Sequence, residues 1–128
     1  MQLEIANRRL AGTVTPPGSK SVTHRALICA ALSGGSVTDP LECDDTRATG
    51  RCLSALFEGG VPDAGDSAST LRLLLPLALT MGSAEFRLGP ELARRPLSDI
   101  AELGFPVERH NGALRVAGRL APGRFRLS

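Results

Sequence analysis

Tryptophan and tyrosine are missing from this sequence, phenylalanine occurs four times in 128 residues, and a single lysine stands against fourteen arginines. With so few stacking rings, and a net charge of +2 spread along the chain, there is no basic stripe of the kind that reads nucleic acid. No apolar run approaches the ~20 residues of a membrane span, so no transmembrane helix is expected. The three cysteines, Cys29, Cys43 and Cys52, are odd in number and lack metal-ligand spacing. They argue against a disulfide framework or a zinc site and suit a reducing, cytoplasmic setting. Neither metal nor cofactor is expected. What is present is 42% apolar residues, enough for the core of one ordinary domain.

The lone lysine lies in "PPGSKSVTHRAL", residues 16–27, between two serines and just after a proline and a glycine that end any strand. In a chain that otherwise uses arginine, a lysine here suggests a need for a compact, movable ammonium rather than a planar fork. The plainer reading is a solvated loop residue.

An internal repeat organises the rest. A shift of 47 residues lays Gly18 on Gly65, Arg25 on Arg72, Leu32 on Leu79, Gly35 on Gly82 and Ser36 on Ser83. Each copy has a glycine, then small hydroxyl or acidic residues suited to capping, then an apolar helix and a glycine stop. Copy one continues through a short stretch around "SVTDPL", the place of the strand in the repeat unit, to a second helix in "DDTRATGRCLSALFEGG", capped by Asp44 or Asp45, with Leu53, Leu56 and Phe57 inward. Copy two continues through the strand "AEFRLG" to a helix in "RRPLSDIAELG" opened by Pro96, with Pro76 marking a kink in the helix before it. It closes with a hairpin at Asn111-Gly112, the strongest short turn signal in the chain. The expected class is α/β (α+β), built from β-α-β-α-β-β units. The boundaries are a leading strand-like segment 1–13, a first repeat 14–64 lacking its closing hairpin, a second repeat 65–118, and the start of a third at 119–128.

A Gly-Ser-Lys-Ser turn at a helix start exposes unpaired backbone N–H groups and the positive end of the dipole, which suits an anion. Ser21 and Arg25, four apart, share a helix face and would converge on a phosphate or carboxylate beside Lys20. The alternatives are that Ser21 only caps, that Arg25 pairs with Asp44 or Asp45, and that Lys20 is solvated. His24 reads as a surface or packed residue rather than a base, and His110 as a turn residue. In copy two the equivalent turn carries Asp66, which either caps a helix or repels an anion. Arg94 and Arg95 place two guanidinium groups near a helix start, of which one can face a ligand.

"PGSKSVTHRAL", "DDTR", "GDSASTLRLLLPLAL" and "RRPLSDI", in that order, resemble the N-terminal portion of the 5-enolpyruvylshikimate-3-phosphate (EPSP) synthase family. The resemblance implies part of an inside-out α/β barrel lobe of the enolpyruvyl transferase fold. It implies transfer of the carboxyvinyl group of phosphoenolpyruvate to shikimate 3-phosphate in aromatic amino-acid biosynthesis, by a cytoplasmic enzyme that is monomeric at full length and needs no cofactor. By matching position, Lys20, a catalytic residue, would touch both substrates. Ser21 and Arg25 would hold shikimate 3-phosphate, while Asp66, Ala68 and Arg95 would join Lys20 around phosphoenolpyruvate. Asp66 stands where the family often has Asn or Glu. Ala68 stands where many members have the glycine that admits glyphosate, which implies tolerance of that inhibitor. The family's second lobe has no match here, so the expected reading is an N-terminal fragment inactive by itself. The alternative is a noncatalytic anion-binding or interaction module that keeps the fold.

Overall fold

The structure, a computed structural model, describes residues 12–124. Three helices come first: α1 at Lys20–Ser33, α2 at Asp44–Glu58 and α3 at Ala68–Met81. Ser19 caps α1 by accepting a hydrogen bond from the Val22 N–H, and Ser67 caps α3 in the same way from the Thr70 N–H. The two serines are not matched by the 47-residue shift, but both sit immediately before their helices. Cys43, not Asp44 or Asp45, is the N-cap of α2, and the Thr46 hydroxyl reaches back to accept from the Cys43 N–H at 3.0 Å. Gly34 and Gly59 end α1 and α2 in the left-handed conformation, φ 69° and 77°, which favours glycine.

The second copy completes a sheet. Strand β1, Ala84–Arg87, is followed by short helices α4, Pro90–Arg94, and α5, Ser98–Ala101, and then by strands β2, Val107–His110, and β3, Ala113–Val116. The order is β1-β3-β2, all antiparallel, with Phe86 opposite Leu114 and Val107 opposite Val116. Asn111 and Gly112 form the two-residue turn with φ 49° and 75°, positive at both positions as a type I′ hairpin requires. Pro62–Ala64 lies parallel to the free edge of β1, where the Arg87 N–H donates to the Pro62 carbonyl and the Ala64 N–H to the Arg87 carbonyl. Helix α3 crosses between these segments and buries Leu71, Leu74, Leu75, Ala78 and Leu79 with Phe86, Leu92, Leu114 and Val116. No helix among the described residues is long and apolar enough to cross a membrane.

Three expectations need correction. The segment 36–41 is not a strand. The Leu41 N–H donates to the Thr23 hydroxyl, and the Leu41 carbonyl accepts from the Thr46 hydroxyl, so at Leu41 side chains of α1 and α2 take the place of a strand partner. The helix expected from Pro96 starts later and is short: α5 begins at Ser98, and the separate α4 precedes it, stopped where Pro96 holds Arg95 in extended backbone (φ −72°, ψ 143°). Phe57 is 49% exposed rather than inward. The leading strand lies outside the described residues through position 11, as does the end of the third copy beyond 124.

The two repeat copies differ most beneath their first helices. Leu79 on α3 is fully buried, whereas its counterpart Leu32 on α1 is 57% exposed. Among the described residues the first copy contributes no strand, so α1 packs on α2 without a sheet of its own.

Candidate anion site

The starts of α1 and α3 lie side by side and border one open cleft of about 440 Å³. Lys20, Ser21, His24 and Arg25 line it from α1, and Ser69, Arg72 and Leu73 from α3. Each set falls on one helix face through the spacing of three to five residues. The residues lining the cleft comprise three cations, two serine hydroxyls and no carboxylate. Arg25 and Arg72, matched by the 47-residue shift, thus meet in a single site. The Arg25 Nε donates to the Ser21 carbonyl at 3.1 Å, which steadies the side chain along its own helix.

Lys20 is not simply solvated. Its Nζ donates to the Asp45 carboxylate on α2 at 2.6 Å. Asp45 therefore has Lys20, and not Arg25, as its partner, while Asp44 pairs with Arg47. The Lys20 hydrogen bond, and then the Ser67 hydroxyl, hold the Asp45 carboxyl below its usual range, and the same contact raises the Lys20 ammonium. Both groups stay charged near neutral pH, and an anion entering the cleft must share the ammonium with Asp45.

Behind the cleft wall runs a buried polar chain. The His24 side chain is 2% exposed, with Nδ1 at 2.7 Å from the Thr49 hydroxyl. Thr49 meets Thr70 at 2.8 Å, Thr70 donates to the Asp45 carbonyl at 3.0 Å, and Ser67 donates to Thr70 at 2.8 Å. Burial, the largest cause, pushes the His24 imidazole below its usual value, so it is neutral at pH 7. His24 is a packed residue, as its lack of a carboxylate neighbour in sequence suggested.

The residues expected around phosphoenolpyruvate do not line this cleft, apart from Lys20. The Asp66 Oδ1 accepts from the Glu91 and Leu92 N–H groups at 2.8 and 2.9 Å, so it caps α4 instead of its own helix. Asp66 borders a smaller hollow with Asp44, Asp45, Arg51 and Gly65. Ala68 is the first residue of α3 and packs against the core, with Ser69 taking its place in the cleft. Arg95 is exposed, and its carbonyl accepts from Arg109 at 2.9 Å. Sequence reasoning passed over Arg72 and Ser69 as site residues. The signal for Arg72 was present, since the repeat places it where Arg25 stands.

The cysteines differ in reactivity. Burial pushes the Cys52 thiol up to about 11, while hydrogen bonds from Thr46 lower Cys43 and Cys29 is exposed. At pH 8 a disulfide reagent should therefore label Cys29 and Cys43 and spare Cys52 until the chain unfolds. Because the folded value of Cys52 lies above the ordinary 9.0, the stability it contributes is complete below pH 9 and is lost as pH rises towards 11. Rapid labelling of all three thiols in the native chain would contradict this packing.

Residues 5–60 match the family model described as EPSP synthase (3-phosphoshikimate 1-carboxyvinyltransferase). Among curated proteins, the 3-phosphoshikimate 1-carboxyvinyltransferase of Clostridium kluyveri is 33% identical over 150 aligned positions, covering 93% of this chain and 35% of that protein. The protein of the same name from Methanosphaerula palustris is 35% identical, covering 79% of this chain and 30% of its own length. That from Clostridioides difficile is 28% identical over 98% of this chain. The chain thus spans about a third of the length of the curated relatives it matches. In the Clostridium kluyveri alignment 150 positions draw on about 119 residues of this chain, so about 31 positions carry a residue in the relative alone. No solved structure matches the chain.

Proposed function

This chain belongs to the EPSP synthase family, and on that premise we propose that it carries the phosphate-binding half of an enzyme that transfers the carboxyvinyl group of phosphoenolpyruvate to shikimate 3-phosphate. The observation that supports this reading is the cleft in which Lys20, Ser21, Arg25 and Arg72 converge from two helix starts with no carboxylate among the lining residues. A phosphate monoester placed there meets two guanidinium groups that can bond it bidentately, an ammonium, and serine hydroxyls. The positive ends of α1 and α3 add to the same field.

Lys20 is the residue suited to act on both substrates. Its flexible stem lets the ammonium leave Asp45 and follow an anion, and charge that develops during transfer can be stabilised by it. Ser21 and Arg25 hold shikimate 3-phosphate. Asp66, Ala68 and Arg95 border phosphoenolpyruvate, where Asp66 acts through its hold on α4 and Arg95 supplies a charge to the phosphate. Proton transfer at the methylene carbon and at the attacking hydroxyl needs acid and base groups. The lining residues offer only Lys20 and the buried, neutral His24 for these transfers, so the chain by itself binds without turning over. A noncatalytic anion-binding module is the second reading, favoured by the use of Asp66 as a helix cap.

Titration of the ¹⁵N-labelled chain with shikimate 3-phosphate tests the proposal. The amides of residues 19–25 and 69–72 should shift first, and affinity should fall steeply as salt screens the exposed cations. Loss of one charge-assisted bond in Arg25→Ala should weaken binding about ten- to a hundredfold. Uniform small shifts at millimolar ligand, or an Arg25→Ala chain that binds equally well, would overturn it. Phosphate release from the two substrates at a rate above that of a Lys20→Ala chain would instead show that the chain is catalytically complete.

A further inference from the structure

Lys20 lines the cleft, yet its ammonium is bonded to a carboxylate that does not. The Asp45 Oδ2 stands 2.6 Å from the Lys20 Nζ, while Asp45 itself borders the neighbouring hollow with Arg51, Gly65 and Asp66. The ion pair therefore joins the two linings. Asp45 is anchored as the second residue of α2, its backbone carbonyl accepts from the Thr70 hydroxyl at 3.0 Å, and its side chain is 29% exposed. Lys20 has the greater freedom, with a four-carbon stem and a side chain 47% exposed. The pair opens by movement of the ammonium. To that ammonium the carboxylate is what a bound anion would be, a charged oxygen at charge-assisted hydrogen-bond distance. It also offsets one of the three cations that line the cleft.

We propose that Asp45 is a built-in competitor for the cleft: a positioning residue that holds the Lys20 ammonium when no anion is bound and that an incoming phosphate ester must displace. This rests on the reading of the cleft as an anion site. Two effects act in the same direction. Transfer of the ammonium to the anion gives up the bond to Asp45, and the carboxylate left behind repels the anion. An ion pair partly open to water is weak, so the first effect is a factor of about two to five rather than orders of magnitude. Repulsion, itself screened by salt, brings the combined loss of affinity to about three- to tenfold. The opposing effect is the order already imposed on the lysine stem. It is smaller, because the stem must rearrange to leave Asp45 in any case.

The experiment titrates the full 128-residue chain, labelled with ¹⁵N and ¹³C, with shikimate 3-phosphate. Lysine occurs once, so its Nζ gives a single signal. That signal and the Asp45 carboxyl carbon should move in step with the amides of residues 19–25 as the ammonium changes partner. Asp45→Asn should bind shikimate 3-phosphate about three- to tenfold more tightly. Damage to the fold would weaken binding, so a gain isolates the charge. Asp44→Asn removes the same charge one residue away, from a carboxylate paired with Arg47, and should change affinity by less than about twofold. Equal or weaker binding by Asp45→Asn overturns the proposal, and so does an equal gain in Asp44→Asn, which would mark net charge alone. Should Asp45→Asn fail to fold, the Lys20 and Asp45 signals of the unaltered chain decide. Amides that shift while both of those stay still reject the role of Asp45 and leave the anion site standing. If shikimate 3-phosphate leaves the amides of Lys20, Ser21 and Arg25 unmoved, the anion site itself is wrong and this proposal falls with it.

Discussion

A Gly89→Ala chain should lose roughly 2–4 kcal/mol of stability, the sum of an overpacked contact and a weakened helix cap. The backbone of Gly89 is ordinary, with φ −67°, so conformational freedom is not the reason for the glycine. Space is. A methyl group there would stand 2.4 Å from the Asp66 Oδ1, 2.6 Å from its Cγ and 2.8 Å from the carbonyl carbon of Gly65. Asp66 cannot swing aside without releasing the Glu91 and Leu92 N–H groups, and Gly65 is tied to the same spot because its carbonyl accepts from the Gly89 N–H at 2.7 Å. Against a total of about 5–15 kcal/mol for a domain, the change should lower the melting temperature by roughly 10 °C. Asp66→Asn, which keeps an acceptor while removing the charge, should be far milder. A Gly89→Ala chain that melts with the unaltered protein would mean that the turn opens at no cost, and that Asp66 is free for another role.

Truncation of Phe86 to alanine should cost about 3–5 kcal/mol, the range for emptying an aromatic site in a close-packed core. Phe86 is fully buried on β1, between the edge segment Pro62–Ala64 and β3, in the same cluster as the apolar face of α3. Its loss would loosen the crossover that places Ser69 and Arg72 at the cleft, so anion binding should weaken along with stability. Phe57→Ala, at a position 49% exposed on α2, should change stability by less than about 1 kcal/mol. Urea denaturation of the two variants side by side checks this. Equal losses would show that α2 buries Phe57 after all, as its helical spacing had suggested.

Much of this protein was legible in the sequence, because the relevant signals act over a few residues. The serines before α1 and α3, the glycines that end α1 and α2, and the Asn111-Gly112 turn each act through their own φ and ψ or through a bond spanning three residues. The apolar spacing of α3 and the 47-residue repeat carried the rest of the outline, and with it the placing of Lys20, Ser21 and Arg25 at one helix start. What the tertiary structure alone decided depends on pairs distant in sequence. Asp45 reaches Lys20, Asp66 reaches Glu91, and Thr49 reaches His24, each across 25 positions. No periodicity records such a choice, since a carboxylate or hydroxyl has several acceptable partners and packing selects among them. The same holds for "SVTDPL", where the repeat calls for a strand but where Leu41 bonds side chains of α1 and α2 instead of a neighbouring strand. A strand exists only where another backbone is present to pair with it, and that is a property of the assembled fold rather than of the segment.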